Sequence, residues 1–481
     1  MIAKLKELEK ISRHLEPTGE QRAQLFREVQ TYAENFLDQL NSSPAYKAPE
    51  ANVNAPDDSI SETPTPLNDI LEFMKTNVDG PGINPASGGH LGYIPGGGLV
   101  PSAFGDFLAD ITNRYSGVFF ANPGAVHMEN MLIRWMTKIV GYPVDAVGNL
   151  TSGGSIANLI AIVAARDAFQ LKGKDLDKTV IYLSEQVHHC VNKAIRIAGL
   201  RECIVRKIPL DKKYRMQADT LAATIQQDKR GGLRPWLVIA SAGTTDTGAV
   251  DPLKEIADIA HENDLWYHID GAYGGFFVMC DEGKKILSGI ERSDSLVMDP
   301  HKGLFLPYGS GAVLVKNKQA VLTSHYYLAN YMQDTLTVAQ NELSPADLSP
   351  ELTKHFRGPR MWLPLKLLGV APFRAALEEK LWLARYFYEK IREIDGFEVG
   401  PPPDLSVVTY RYIPRNGDAN DFNRKLIHEI HQDGRVFVSS TVLDGKFTLR
   451  LAVLVFRSHL DTIDLTLKVL QEKIAKLLRE N

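Results

Sequence analysis

Two short runs place reactive side chains just past an apolar stretch. The first is Ser295-Leu296-Val297-Met298-Asp299-Pro300-His301-Lys302-Gly303 and the second is His268-Ile269-Asp270-Gly271-Ala272-Tyr273-Gly274-Gly275. A lysine at the mouth of a buried element sheds water, which lowers its pKa and lets the neutral amine attack an aldehyde. The same lysine, taken alone, also suits a solvated surface. Asp270 is placed to hold a proton on a ring nitrogen, with loop capping as the alternative, and Ala272 is small enough to lie against a flat ring. A third run, Leu150-Thr151-Ser152-Gly153-Gly154-Ser155, leads into an apolar helix through Ala165. Glycines before a helix bare their N–H groups, and a helix N-terminus favours a dianionic phosphate. Such turns also occur without any ligand. The run has neither the Gly-Lys-Ser/Thr of a nucleotide loop nor the Gly-x-Gly-x-x-Gly of a dinucleotide fold.

The elements that must position these groups are short apolar runs at Val180 to Leu183, Cys203 to Ile208, Trp236 to Ala240, Leu265 to Ile269, Leu296 to Met298 and Gly311 to Val315. They read as buried parallel strands. Segments long enough for crossover helices separate them, which predicts a three-layer α/β domain. Ligands in such sheets collect at the carboxyl ends of the strands, where Asp270 and Lys302 fall. Ahead of this body, Thr18 and Gln21 form a capping box before Leu25, Val29, Tyr32, Phe36 and Leu40, the apolar face of a first helix. A Ser-, Pro- and Asn-rich stretch from Asn41 to Pro66 then links arm to body. Beyond about Ala384 a long helix, three strands and a closing helix predict a smaller α+β domain. The division expected is an arm at residues 1–75, a large domain at 76–384 and a small domain at 385–481.

In this order the motifs resemble the group II pyridoxal-phosphate decarboxylases, the family of aromatic-amino-acid, glutamate and histidine decarboxylases. The pair Asp-x-Ala-Tyr-x-Gly and Asp-Pro-His-Lys carries the resemblance, which runs from about residue 70 to 460. It implies a fold type I, transferase-like large domain with a mainly parallel sheet, and pyridoxal 5′-phosphate as cofactor. It further implies that Lys302 carries the cofactor and Asp270 faces the pyridine nitrogen, whose positive charge draws in the electrons that departing CO₂ leaves on Cα. Gly153, Gly154 and Ser155 would take the phosphate, with Asp299 and His301 beside Lys302. His188, in Glu185-Gln186-Val187-His188-His189-Cys190, matches the histidine that stacks on the ring. A metal cluster of His188, His189 and Cys190 is the alternative; adjacent ligands point apart and no fourth is at hand, so no metal is expected. Thr244 and Thr245 match the Gly-Thr-Thr element that orients cofactor oxygens, with Asp251 holding a neighbour. Tyr331 matches the loop tyrosine that returns a proton to Cα, and Tyr326 and Tyr327 are the alternatives in register.

The expected reaction is decarboxylation of an L-amino acid to its amine, an aromatic substrate being slightly favoured. A carbon–carbon lyase or an aldehyde synthase of the same fold, or a scaffold that lost its chemistry, are the rivals. The sequence departs from the family in two places. Gly88 to Gly98 falls where relatives place an aromatic wall and a threonine for the substrate carboxylate. Gly96 takes the threonine's place, leaving His90, Tyr93, Phe119 and Phe120 as candidate pocket residues. Asp299 stands where animal enzymes have asparagine, which would put an extra carboxylate near Lys302.

The 481 residues carry 54 Lys plus Arg against 58 Asp plus Glu, a net charge of -4 that attracts neither nucleic acid nor an anionic membrane. Three cysteines without a Cys-x-x-Cys pair suggest a reducing, cytoplasmic setting. No apolar run approaches the roughly 18 residues of a membrane span. A homodimer acting on a small amino acid is the expected assembly.

Overall fold

The computed structural model describes residues 1–48, 59–327 and 342–480. Its centre is a seven-stranded sheet. In chain order the strands are β1 (Val147–Thr151), β2 (Thr179–Ser184), β3 (Ile204–Ile208), β4 (Arg234–Ser241), β5 (Trp266–Asp270), β6 (Ser295–Met298) and β7 (Gly311–Val315). Their spatial order is β1-β7-β6-β5-β4-β2-β3. Pairings β2/β3, β2/β4, β4/β5 and β5/β6 are parallel. Alternate residues feed two cores on opposite faces. Val180, Tyr182, Val238 and Tyr267 enter one; Ile181, Leu183, Leu237 and Trp266 enter the other. Both faces are therefore covered, and the runs read as continuously apolar for that reason.

One expectation fails here: Gly311 to Val315 is not parallel. β7 runs antiparallel to both β6 and β1. The segment after β6 is spent on a four-residue helix, Pro300–Gly303, and the turn that brings the chain back, so no crossover forms. β1 itself escaped sequence reading because its Gly148 and Asn149 are poor strand formers.

At the N-terminus, α1 (Ile2–Ser12) precedes the helix that the capping box announces, α2 (Gly19–Gln39). The box closes as expected: Thr18 N–H donates to Gln21 Oε1 at 2.8 Å and Gln21 N–H to Thr18 Oγ1 at 3.3 Å. The long helix expected from about Ala384 is α3, and it begins at Ala371 and runs to Arg392. A boundary at 384 therefore cuts a continuous helix. Phe373, Leu377 and Leu381 on its first half join the core of the large sheet, whereas Ala384, Phe387 and Ile391 join that of the small one. An unbroken apolar stripe that changes partners midway leaves no mark in the periodicity.

The C-terminal part holds a five-stranded sheet built from Phe397–Val399, Val407–Tyr412, Lys446–Ala452, Phe437–Leu443 and the distant His90–Leu91. His90–Leu91 pairs parallel with Phe437 and Val438. The glycine-rich segment thus ties the small sheet to the large one.

Candidate active site

A cavity of about 260 Å³ opens at the carboxyl ends of the parallel strands. It is lined by Gly153, Gly154, Ser155, His188, Thr244, Thr245, Asp270, Ala272, Asp299, His301 and Lys302, which are all the residues expected around the cofactor. Each arrives from the end of a strand or the start of a helix. Asp270 is the last residue of β5, and Lys302 lies on the short helix after β6.

Lys302 Nζ sits 3.2 Å from Asp299 Oδ2, and His301 Nε2 lies 3.7 Å from the same oxygen. The other oxygen, Asp299 Oδ1, is buried without a hydrogen-bond partner, an orphan of the kind that a bound group satisfies. Asp270 is nearly buried, and its Oδ1 accepts from Ala272 N–H at 3.1 Å. His188 caps the helix His189–Ile197 and its Nδ1 accepts from Cys190 N–H at 3.3 Å, which leaves the other ring nitrogen to carry the proton. Burial lowers the His188 pKa, the nearby Asp270 charge opposing the shift, so the ring faces the cavity neutral. Among the described residues no group of three or more His, Cys, Asp or Glu is arranged to hold a metal ion.

Gly153 begins the helix Gly154–Ala168, and Thr151 Oγ1 accepts from its N–H at 3.3 Å. A Cβ on Gly154 would lie 3.0 Å from Asp299 Oδ2 and 3.2 Å from the Ala272 methyl, so any side chain there would press on the cavity wall. The Thr244-Thr245 turn is held from the small sheet. Arg450, almost fully buried, donates to the Thr245 carbonyl, to Asp246 O at 2.7 Å and to Ser439 Oγ at 3.0 Å. Asp251 accepts from the backbone N–H of Ser241 and Met216, both at 2.7 Å, fixing the end of β4 beside the cavity. Arg450 was missed in the sequence because the contact spans two sheets. Ser241 and Gly243 also line the cavity without having been singled out, as do Cys190, named only in the alternative metal cluster, and Tyr273, named only as part of a motif.

The residues expected at the substrate wall lie outside the lining of this cavity. None of His90, Tyr93, Gly96, Phe119 and Phe120 lines this cavity. His90 is buried edge-on to Phe437 with neither ring nitrogen hydrogen-bonded, and burial lowers its pKa to about 4. Tyr93 and Phe120 are exposed, and Phe119 donates its N–H to Ser344 Oγ at 3.0 Å. Gly96 meets the backbone that bears Lys302: a Cβ would collide with the His301 carbonyl oxygen and come within 2.9 Å of Phe305 Cα. The glycine buys close approach rather than a wider pocket. Gly96→Thr is accordingly expected to destabilise the fold by about 3 kcal/mol through overpacking, read as a lowered thermal midpoint. Tyr331 lies outside the described residues; Tyr326 and Tyr327 are exposed and neither lines the cavity.

An amine, a carboxylate, a bare helix N-terminus and a small flat wall around one cavity define a pyridoxal-phosphate site on a fold type I sheet. Residues 49–413 match the pyridoxal-dependent decarboxylase conserved domain, and the chain belongs to that family. It is a pyridoxal-phosphate-dependent amino-acid decarboxylase. It is 33% identical over 447 residues to the aromatic-L-amino-acid decarboxylase of Bacillus atrophaeus, covering 92% of this chain and 93% of the relative. It is 29% identical over 417 residues to the phenylacetaldehyde synthase of Petunia hybrida, 82% of each chain being covered. Its fold matches that of Catharanthus roseus tryptophan decarboxylase, solved with L-tryptophan, at a TM-score of 0.87 and 24% identity, with 96% of this chain and 99% of the other covered.

Proposed function

We infer that this protein removes the α-carboxylate of an aromatic L-amino acid as CO₂ and releases the amine, working as a homodimer in a reducing compartment. The observation that carries the reading is the convergence of Lys302 and Asp270 on one cavity. The names of the relatives favour an aromatic side chain.

Bound pyridoxal phosphate supplies an aldehyde for amines and a ring that takes up the electron pair left when CO₂ departs. Lys302 Nζ holds that cofactor covalently, and Asp299, 3.2 Å away, keeps the amine in place. The N–H groups of Gly154 and Ser155 at the helix N-terminus would take the phosphate, that of Gly153 being held by Thr151 Oγ1. Asp270 holds the proton on the ring nitrogen. His188, which lines the cavity, would pack against the cofactor ring near the substrate's carboxylate, and Thr244 and Thr245 would orient cofactor oxygens. Tyr331 gives the proton to Cα.

Assembly is supported by apolar surface. Ile2, Leu5, Leu8, Ile11 and Leu15 on the arm are exposed, as are Phe104, Leu108 and Ile111 on the helix Val100–Thr112. Faces of this size are normally covered by a second subunit. The three cysteines are free and buried, in keeping with a reducing setting. Among the described residues no helix is long and apolar enough to cross a membrane.

The test is a screen of amino acids for CO₂, amine, ammonia and peroxide together. Equimolar CO₂ and amine from tryptophan, tyrosine or phenylalanine is the expected result. Aldehyde with ammonia and peroxide would instead establish the synthase reading, which the petunia relative favours. Absence of turnover on every aromatic substrate would overturn the proposal.

A further inference from the structure

A line of hydrogen bonds runs through the core behind Asp270. Trp266, His268 and Asp270 alternate along β5, so their side chains share the face that packs on the helix Gly154–Ala168. Ser295 opens β6 opposite His268 in the register. Trp266 Nε1 lies 2.8 Å from Ser295 Oγ, Ser295 Oγ 2.8 Å from His268 Nδ1, and His268 Nε2 2.8 Å from Asn158 Oδ1. Asn158 Nδ2 then donates to Asp270 Oδ2 at 3.3 Å and to Gly154 O at 2.9 Å.

The ends of this line fix every proton in it. An indole N–H only donates, so Ser295 must spend its own hydroxyl proton on His268 Nδ1. The neutral imidazole then carries its proton on Nε2 and gives it to the Asn158 carbonyl. The amide cannot be turned round, because its oxygen would face two acceptors, Gly154 O and Asp270. Burial lowers the His268 pKa to about 4, so the ring is neutral at physiological pH. All four links therefore point one way, toward a carboxylate. In a low-dielectric core such aligned links strengthen one another.

We propose that Asn158, His268, Ser295 and Trp266 form a one-way relay that keeps Asp270 ionised and fixed in orientation, so that the ring nitrogen it faces stays protonated. This rests on the role given to Asp270 above. The relay supplies only neutral donors. It therefore stabilises the Asp270 charge without cancelling it, leaving the full charge for the cofactor. A cationic residue in the same place would compete with the ring for the carboxylate. None of His268, Ser295 and Trp266 lines the cavity, so they act as positioning residues.

The test uses holoenzyme rebuilt with pyridoxal phosphate carrying ¹⁵N in its ring. Variants are His268→Phe, Ser295→Ala as the milder cut should the first not fold, His268→Gln as the conservative rescue, and Asp270→Asn as reference. Breaking the relay is expected to move the ring resonance toward the unprotonated position and to weaken cofactor binding and kcat by about tenfold each, with KM little changed. His268→Gln, whose amide can accept from Ser295 and donate to Asn158, should recover most of the loss. If Asp270→Asn moves the resonance while His268→Phe and Ser295→Ala leave it at the wild-type position, the relay is wrong and the role of Asp270 stands. If Asp270→Asn does not move it either, the reading of Asp270 falls and the relay with it.

Discussion

Lys302→Ala is expected to lower turnover by about 10⁴-fold or more, because among the described residues no other amine lines the cavity to take over the covalent attachment. The variant should still fold. Lys302 is partly exposed at the cavity and its one ion pair is with Asp299, so its loss removes a local contact and leaves both cores intact. Borohydride treatment of the wild type should fix cofactor mass to the chain, and the variant should retain none. Full turnover by the alanine variant would remove the lysine from the chemistry.

Asp270→Asn is the second large effect. The substitution keeps an oxygen for the N–H of Ala272, so the backbone of the turn is held as before, while its amide nitrogen replaces the oxygen that accepts from Asn158. What disappears is a negative charge in a nearly buried position. Charge aimed at a developing electron sink in a water-poor site contributes several kcal/mol, so kcat is expected to fall by about 10³-fold. Cofactor binding should weaken much less, since the phosphate cradle at Gly154 and Ser155 is untouched. Equal loss in the two quantities would mean that Asp270 acts mainly in binding.

The parts of the site that the chain announces are those built from local signals. β2, β4, β5 and β6 are short apolar runs buried on both faces, and the residue after each is where a ligand must sit. Asp270 and Lys302 could be singled out because Asp270 closes β5 and Lys302 stands on the short helix that follows β6. The turn at Gly153 was legible as a glycine-rich entry to a helix, although such turns also occur without a ligand, and it gained weight only beside the other two runs. The surroundings of His90, Tyr93 and Gly96 were not legible, because their segment is drawn into the small sheet through Phe437 and pressed against the Lys302 turn. Arg450 and the orientation of β7 also depend on long-range packing. The relay behind Asp270 lies between these cases. Trp266, His268 and Asp270 follow from the strand alternation of β5 once its bounds are known, and their partners Asn158 and Ser295 needed the fold.

Lys302 and Asp270 are expected to hold opposite ends of one cofactor. A crystal structure of the pyridoxal-phosphate-loaded protein measures this directly. The expected result is electron density joining Lys302 Nζ to the aldehyde carbon, with an Asp270 oxygen within about 3 Å of the ring nitrogen. A cofactor bonded to another amine, or a ring nitrogen turned away from Asp270, would contradict it.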